Sequence, residues 1–301
     1  MPNFKRGDCL YIETDKIAVT DYISSGQQAD VYKVIDVDRR EFMAMKHLYG
    51  SYTDNKDLFY RKLTILRKSA APHPALVWPL AVGPLDPKTK SFVYLMGLVP
   101  GDYKSVGRVM KNPELLTDKQ KFQLAYQMTE VFSALHNREF IYGDISGTNI
   151  LYRFDVQGNI SIKVIDCDNV SLSGQSLGLQ GSGLFRAPEV FLGSAPTVSS
   201  DTHSLAVAVF RILIGSHPLD GVYSHSEAFT SEWIVECFGR RPRYIFSDTG
   251  ENGPMRAVYR ERYDRLPAKL KMYFDFMFCD SCLHGRKQRP GTDMLLESLK
   301  G

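Results

Sequence analysis

The chain has 301 residues, 44% of them hydrophobic, and 37 basic against 34 acidic residues leave a net charge of +3. That is enough apolar material for one large core or two smaller ones, and the near balance of charge excludes a bulk electrostatic nucleic-acid binder. No run approaches 18 uninterrupted apolar residues, and MPNFKRGDCLYIETDK lacks the apolar core of a secretory leader, so a cytoplasmic protein with no membrane segment is expected. Five scattered cysteines (Cys9, Cys167, Cys237, Cys279, Cys282) point to reduced thiols rather than a disulfide framework. Cys279, Cys282 and the nearby His284 have zinc-ligand spacing, but no second cysteine pair completes a four-ligand site, so two half-buried thiols at a helix end are expected.

In chain order, residues 17–35 read as two β-rich runs joined by a Ser/Gly/Gln turn, and 41–47 (EFMAMKH) as a third strand carrying Lys46. Residues 54–69 place Leu58, Leu63, Ile65 and Leu66 on the apolar stripe of a helix, with basic residues on its other faces. PHPALVWPL and SFVYLM look like two more strands, and GLVPG (Gly97–Gly101) breaks both periodicities, as a hinge does. The spacing of Phe122, Leu124, Ala125, Met128, Val131, Phe132 and Leu135 predicts a helix over 117–137, with Thr117 as N-cap. Short strands are expected at 149–153 and 160–165 around DVQGN, and a helix over 200–214 is apolar enough to be buried at the centre of its unit. Residues 226–301 alternate helical stretches with Pro/Gly breaks, which completes an α+β chain.

Three runs carry the chemistry: YGDISGTNIL (142–151), VIDCDNV (164–170) and RAPE (186–189). A lone Gly-Asp is ordinarily a turn. Here Asn149 follows Asp144 by five residues, Asp166 follows a β-run, and Ala187-Pro188-Glu189 comes after both. Phosphoryl transfer from ATP needs this set, because one carboxylate orients the attacking hydroxyl while an amide and a second carboxylate hold magnesium on the phosphates. The order and spacing resemble a eukaryotic-like protein kinase over nearly the whole chain, from Ile23 to Arg289. The resemblance implies a bilobal kinase-like fold, with a small β-rich lobe with one helix over residues 1–97 and a larger, mainly helical lobe over 98–301.

It also implies roles. Asp144 accepts or orients the hydroxyl proton, Asn149 and Asp166 hold magnesium, and Lys46 pairs with the α- and β-phosphates. The turn Ser24-Ser25-Gly26-Gln27-Gln28-Ala29-Asp30-Val31 keeps the middle glycine of G-x-G-x-x-G-x-V and would cover the phosphates. Ala44 leaves room for the adenine, Val31 and Leu151 sandwich it, Met96 is the gatekeeper, and Gly97 and Val99 line the hinge side. Ser182 contacts Asp144, Asp201 accepts backbone N–H groups of the catalytic loop, and Glu189 pairs with Arg289.

The departures matter equally. Tyr142 and Gly143 stand for the His and Arg of H-R-D, Asp166-Cys167-Asp168 for D-F-G, and Ser146 for the lysine usual two residues after the catalytic Asp. With G-D-I-x-x-x-N-I-L, I-D-C-D and RYIFSDTGENGP, the chain resembles the bacterial kinases of the TerY-phosphorylation triad, whose members associate with a PP2C-type phosphatase and a von Willebrand A-domain protein. Gly143 removes the usual phosphate-binding cation, so activity independent of phosphorylation at Ser173, Ser176 or Ser182 is expected. Cys167 loses a ring and Tyr142 adds bulk, a pairing that conserves volume. Lys62 stands where a helix normally offers a glutamate to Lys46. Either Lys62 reaches the nucleotide phosphates, or Lys46 pairs with Asp166, or the register is shifted, with Asp57 used or Lys62 merely exposed.

The expected function is ATP- and Mg-dependent transfer to Ser or Thr of a protein, including the chain itself. The alternatives are a nucleotide-binding pseudokinase scaffold and a small-molecule kinase of the aminoglycoside type, which shares G-D-x-x-x-x-N and I-D-x-D but lacks the A-P-E segment. GRRPR (239–243) is either a docking surface or a solvated loop.

Overall fold

The computed structural model describes residues 3–26, 28–50, 55–172, 183–225 and 230–300. The chain folds as two compact units, Met1–Asp102 with Ile165–Asp168, and Tyr103–Val164 with Asn169–Gly301. The class is α+β, with β-rich structure in the first unit and mainly helices in the second.

The first unit comprises β1 (Cys9–Ile12), β2 (Asp15–Ser25), β3 (Ala29–Asp36), β4 (Phe42–Leu48), helix α1 (Lys56–Lys68), β5 (Pro79–Val82) and β6 (Phe92–Gly97). The strands form one antiparallel sheet in the order β1-β2-β3-β4-β6-β5. Ile17, Val19, Tyr32, Val34, Met45, Val93 and Leu95 alternate onto one face and pack with Ile12 and Ala81 as a closed core. Val31, Ala44, Lys46, Tyr94 and Met96 therefore occupy the opposite face. Register makes them neighbours: Val31 lies opposite Lys46, Lys46 opposite Tyr94, and Ala44 opposite Met96.

Two expectations for this unit need correction, and one strand was not foreseen. The short edge strand β1 has no strong alternation, and its pairing to β2 depends on a chain reversal that propensity does not signal. In PHPALVWPL only the last two residues are in a strand, which runs on to Val82. Pro72 and Pro74 lack N–H donors, and Pro79 is accepted because β5 is an edge of the sheet. On α1 the buried residues are Phe59, Lys62, Leu63 and Leu66, while Leu58 and Ile65 are 44% and 64% exposed. Positions 59, 62, 63 and 66 follow the i, i+3, i+4, i+7 rule, so the inward stripe itself includes a lysine.

The second unit runs through β7 (Lys104–Ser105), α2 (Gly107–Lys111), α3 (Asp118–His136), β8 (Phe140–Ile141), β9 (Ile150–Phe154), β10 (Ile160–Val164), β11 (Ser171–Leu172), α4 (Pro188–Phe191), α5 (Val198–Ile214), α6 (Ser231–Ile234), α7 (Ala257–Asp264), α8 (Ala268–Met277), α9 (Asp280–Leu283) and α10 (Thr292–Leu299). A capping box starts α3: the Gln120 N–H donates to Thr117 Oγ1 at 3.3 Å and the Thr117 N–H to Gln120 Oε1 at 3.0 Å. Thr197 and Ser200 make the same box for α5, which ends at Gly215 with φ of 83°. Between Ser200 and Ile214 only Arg211 escapes burial. Around α5, the Phe210 ring meets Phe274, Phe246 and Phe278 at 5.1, 5.9 and 6.0 Å. Cys279 precedes α9, and the buried Cys282 thiol donates to the Gln288 carbonyl at 3.6 Å. Among the described residues no helix is long and apolar enough to cross a membrane.

Candidate active site

In the second unit, residues 142–149 connect β8 to β9, and the loop hangs on Asp201 in the first turn of α5. The buried Asp201 carboxylate accepts the Tyr142 N–H at 2.5 Å and the Gly143 N–H at 2.9 Å, and His136 Nε2 lies 3.3 Å from its Oδ2. Gly143 has φ of 77°. That left-handed conformation suits glycine and strains an arginine, so the loss of the usual Arg is a backbone choice as well as a charge change. Tyr142 is fully buried, edge-on to Phe132 at 5.6 Å.

Asn149 Nδ2 donates to the Asp144 backbone carbonyl at 3.1 Å and to its Oδ2 at 2.8 Å, tying the two ends of the loop together. Ser146 is buried and bonded to the Thr148 hydroxyl at 2.9 Å. Below the loop, the Gly147 carbonyl accepts from Ser105 Oγ at 2.7 Å and the Gly107 N–H at 2.8 Å. A Cβ on Gly147 would come within 2.7 Å of Gly107 Cα, so this close approach requires glycine. Further along, Arg289 grips Glu189 through two parallel bonds of 2.6 and 2.7 Å.

In the first unit the centre is Lys46. Its ammonium donates to Asp166 Oδ1 at 3.0 Å and to both Asp168 oxygens at 2.9 Å. Tyr94, its cross-strand neighbour, donates its hydroxyl to Asp168 Oδ1 at 2.8 Å. Lys62, 8% exposed, donates to the Asp168 backbone carbonyl and lies 4.2 Å over the Phe59 ring. Asp57 instead pairs with Lys90 at the surface, 3.4 Å apart. Lys62 is thus neither exposed nor relieved by Asp57. Asp166 holds a left-handed φ of 55°, a conformation aspartate tolerates better than most residues.

The charges follow from these contacts. Burial opposes the Lys46 ammonium, but Asp168 and Asp166 outweigh it and hold its pKa above the ordinary lysine value. Burial lowers Lys62 to about 8, with Asp168 opposing and Lys46 assisting the drop. For Asp168, burial favours the neutral acid, yet Lys46, Tyr94 and Lys62 keep it below the usual carboxylate range. Burial first, then the two aspartates, pushes the Cys167 thiol well up.

The other nucleotide-side positions fall as follows. Ser24, Ser25 and Gly26 are exposed, with the Gly26 N–H closing the turn onto the Ala29 carbonyl at 2.8 Å. Ala44 and Met96 are buried, Val31 and Val99 half-buried, and Gly97 exposed with open space where a Cβ would stand. Leu151 is half-buried on β9 in the second unit. Gln27, Ser173, Ser176 and Ser182 lie outside the described residues. In GRRPR, Arg240 and Arg241 pair with Glu236, and Arg243 with Glu251. Sequence reasoning missed Asp168 and Tyr94. The signal for Asp168 was the second acid of D-C-D beside an otherwise unbalanced Lys62; Tyr94 follows only from strand register.

Magnesium is the metal this pattern implies, and the donors suit it. Asn149 uses Nδ2 on Asp144, which leaves Oδ1 as its acceptor end in the second unit, and in the first unit the Asp166 carboxylate is likewise a hard oxygen donor of the kind magnesium takes.

Comparison with known proteins gives one family: residues 17–249 match the protein kinase domain. The chain is 27% identical over 215 residues to "Probable serine/threonine-protein kinase gdt4" of Dictyostelium discoideum, covering 69% of this chain and 12% of that protein. Against the serine/threonine-protein kinase PrkC of Bacillus subtilis it is 25% identical over 264 residues, 84% of this chain and 40% of PrkC. Against the mitogen-activated protein kinase kinase kinase MST11 of Pyricularia oryzae it is 28% identical over 218 residues, 65% of this chain and 23% of that protein. The chain therefore spans from 12% to 40% of the length of these curated relatives.

Proposed function

We propose, because this chain belongs to the protein kinase domain family, that it transfers the γ-phosphoryl group of ATP to a Ser or Thr hydroxyl of a protein substrate, itself included. The observation that carries this reading is the Asp144 loop: a carboxylate held by Asn149 at 2.8 Å on a loop hung from buried Asp201 is a pre-aimed proton acceptor. In the reaction the substrate Oγ forms a bond to the γ-phosphorus, the bond from that phosphorus to the ADP oxygen breaks, and the hydroxyl proton passes to Asp144. Lys46 offsets charge on the α- and β-phosphates. Asn149 and Asp166 would hold magnesium, which supplies further neutralisation of the phosphates when bound.

The adenine would lie along Val31, Ala44, Met96, Gly97 and Val99, with the turn at Ser24, Ser25 and Gly26 toward the phosphates. We assign the chain to the TerY-triad group of bacterial kinases in the cytoplasm, working with a PP2C-type phosphatase and a von Willebrand A-domain protein.

The test is transfer of labelled γ-phosphate from Mg-ATP to the chain and to a generic basic protein, comparing wild type with Asp144→Asn. Transfer lost in the variant supports the reading. Mg-ATP binding with no transfer by wild type would replace it with the scaffold reading, and transfer only to a small-molecule acceptor would replace it with the third.

A further inference from the structure

Lys46 needs an anion to hold it, and α1 supplies none. The single acid of α1 is Asp57, at the surface with Lys90. At the buried stripe stands Lys62, a second cation. Two ammoniums brought into one interior repel unless carboxylates separate them. Here both converge on one residue from two sides. Lys46 and Tyr94 clasp the Asp168 carboxylate at 2.9 and 2.8 Å, and Lys62 takes the carbonyl of the same residue. Asp168 is only 4% exposed, a burial that a carboxylate tolerates when all its oxygens are bonded. With Asp166 beside them, two cations face two carboxylates, and the cluster is neutral as a whole.

Resting on the kinase reading above, we propose that Asp168 is the positioning residue for the phosphate-binding Lys46, and that Lys62 on α1 acts through it by fixing its backbone. The usual polarity is exchanged: the turn contributes the carboxylate, and the helix contributes the cation. Asp166 and Asp168 lie on one turn, so the candidate metal ligand and the lysine clamp move as one element. Any displacement of α1 reaches Lys46 through the Asp168 carbonyl.

The experiment uses the full chain and three variants: Asp168→Asn, which keeps the Tyr94 bond and the size; Lys62→Met; and the relocated pair Lys62→Glu with Asp168→Gly. The readouts are KM for ATP against kcat, and the titration of Lys46 by lysine-selective NMR. The expected result is a rise of at least about tenfold in KM for Asp168→Asn, the loss typical of a charge-assisted hydrogen bond, together with a Lys46 pKa that falls. The relocated pair recovers most of that loss. A purely structural Asp168 would lower stability but leave KM and the Lys46 titration of the folded protein unchanged, and that result overturns the inference. Should Asp168→Asn not fold, Tyr94→Phe decides: it removes one of the bonds that hold the same carboxylate, and an unchanged KM for ATP in that variant excludes the clamp. Absence of phosphoryl transfer by wild type would sink the kinase reading alone, because the Lys46 titration needs no turnover.

Discussion

The two acidic turns of this chain, 142–149 and 165–168, present aspartates from left-handed backbone in both cases, at Gly143 and Asp166, yet they are held by opposite means. The first is secured by neutral donors, the two N–H groups on Asp201 and the Asn149 amide on Asp144. The second is secured by full charges, Lys46 on the carboxylates and Lys62 on a carbonyl. A loop anchored through its backbone leaves its side chains room to change, which is how Tyr142 and Ser146 are accommodated, whereas position 143 is held to glycine by its own left-handed φ. A turn anchored by charge permits change only in matched pairs, because an unpaired ion in the interior is costly. The cation on α1 and the acid at 168 are such a pair.

Four changes break or sharpen this contrast. Asp144→Asn removes the proton acceptor and not the scaffold, so transfer should fall by about 10²- to 10⁴-fold with an unchanged melting curve; a comparable loss of stability would mean the loop is not independently anchored. Glu189→Gln leaves the largely buried Arg289 without its counter-ion, and urea unfolding should register a loss of about 3–5 kcal/mol.

Lys62→Met tests the charged turn through pH. Lys62 titrates near 8 in the fold against 10.5 in the ordinary range. Between those values the unfolded chain carries a proton that the fold does not, so the wild type loses stability as pH falls from 10.5 to 8 and is flat below. Lys46, raised above its ordinary value, contributes a constant in that window. The stability of the variant relative to wild type should therefore improve as pH falls toward 8, by at most about 3 kcal/mol, and a difference independent of pH would show that Lys62 stays charged. Smallest, Thr117→Ala removes the α3 cap at a cost of about 1 kcal/mol in thermal unfolding, with no effect on Lys46.

Local signals were readable. Thr117 as an N-cap, the apolar run of α5 and the DVQGN hairpin each declare themselves within a few residues, and the sheet-and-helix division follows from them. The Glu189–Arg289 pair and the Asp201 anchor were legible only through the family pattern, since a hundred residues separate the ion pair in sequence. What escaped was decided by tertiary neighbours. Helical spacing alone permits two faces of α1, and the choice of the face bearing Lys62 rests on an acid far along the chain at Asp168. Tyr94 reads as a strand residue with an aromatic side chain; its hydroxyl acquires a role only because β6 pairs with β4 in one register.

Cys167 sits between the two aspartates at 1% exposure, with its thiol pushed far from ionisation. Since the thiolate is the reactive form, a thiol-directed electrophile aimed at this turn would find no thiolate there. The exposed Cys9 on β1 is a far more accessible sulfur, with Cys279 half-buried, so in a Cys279→Ser background a fluorophore attached at Cys9 would report on the first unit without modifying its charged centre.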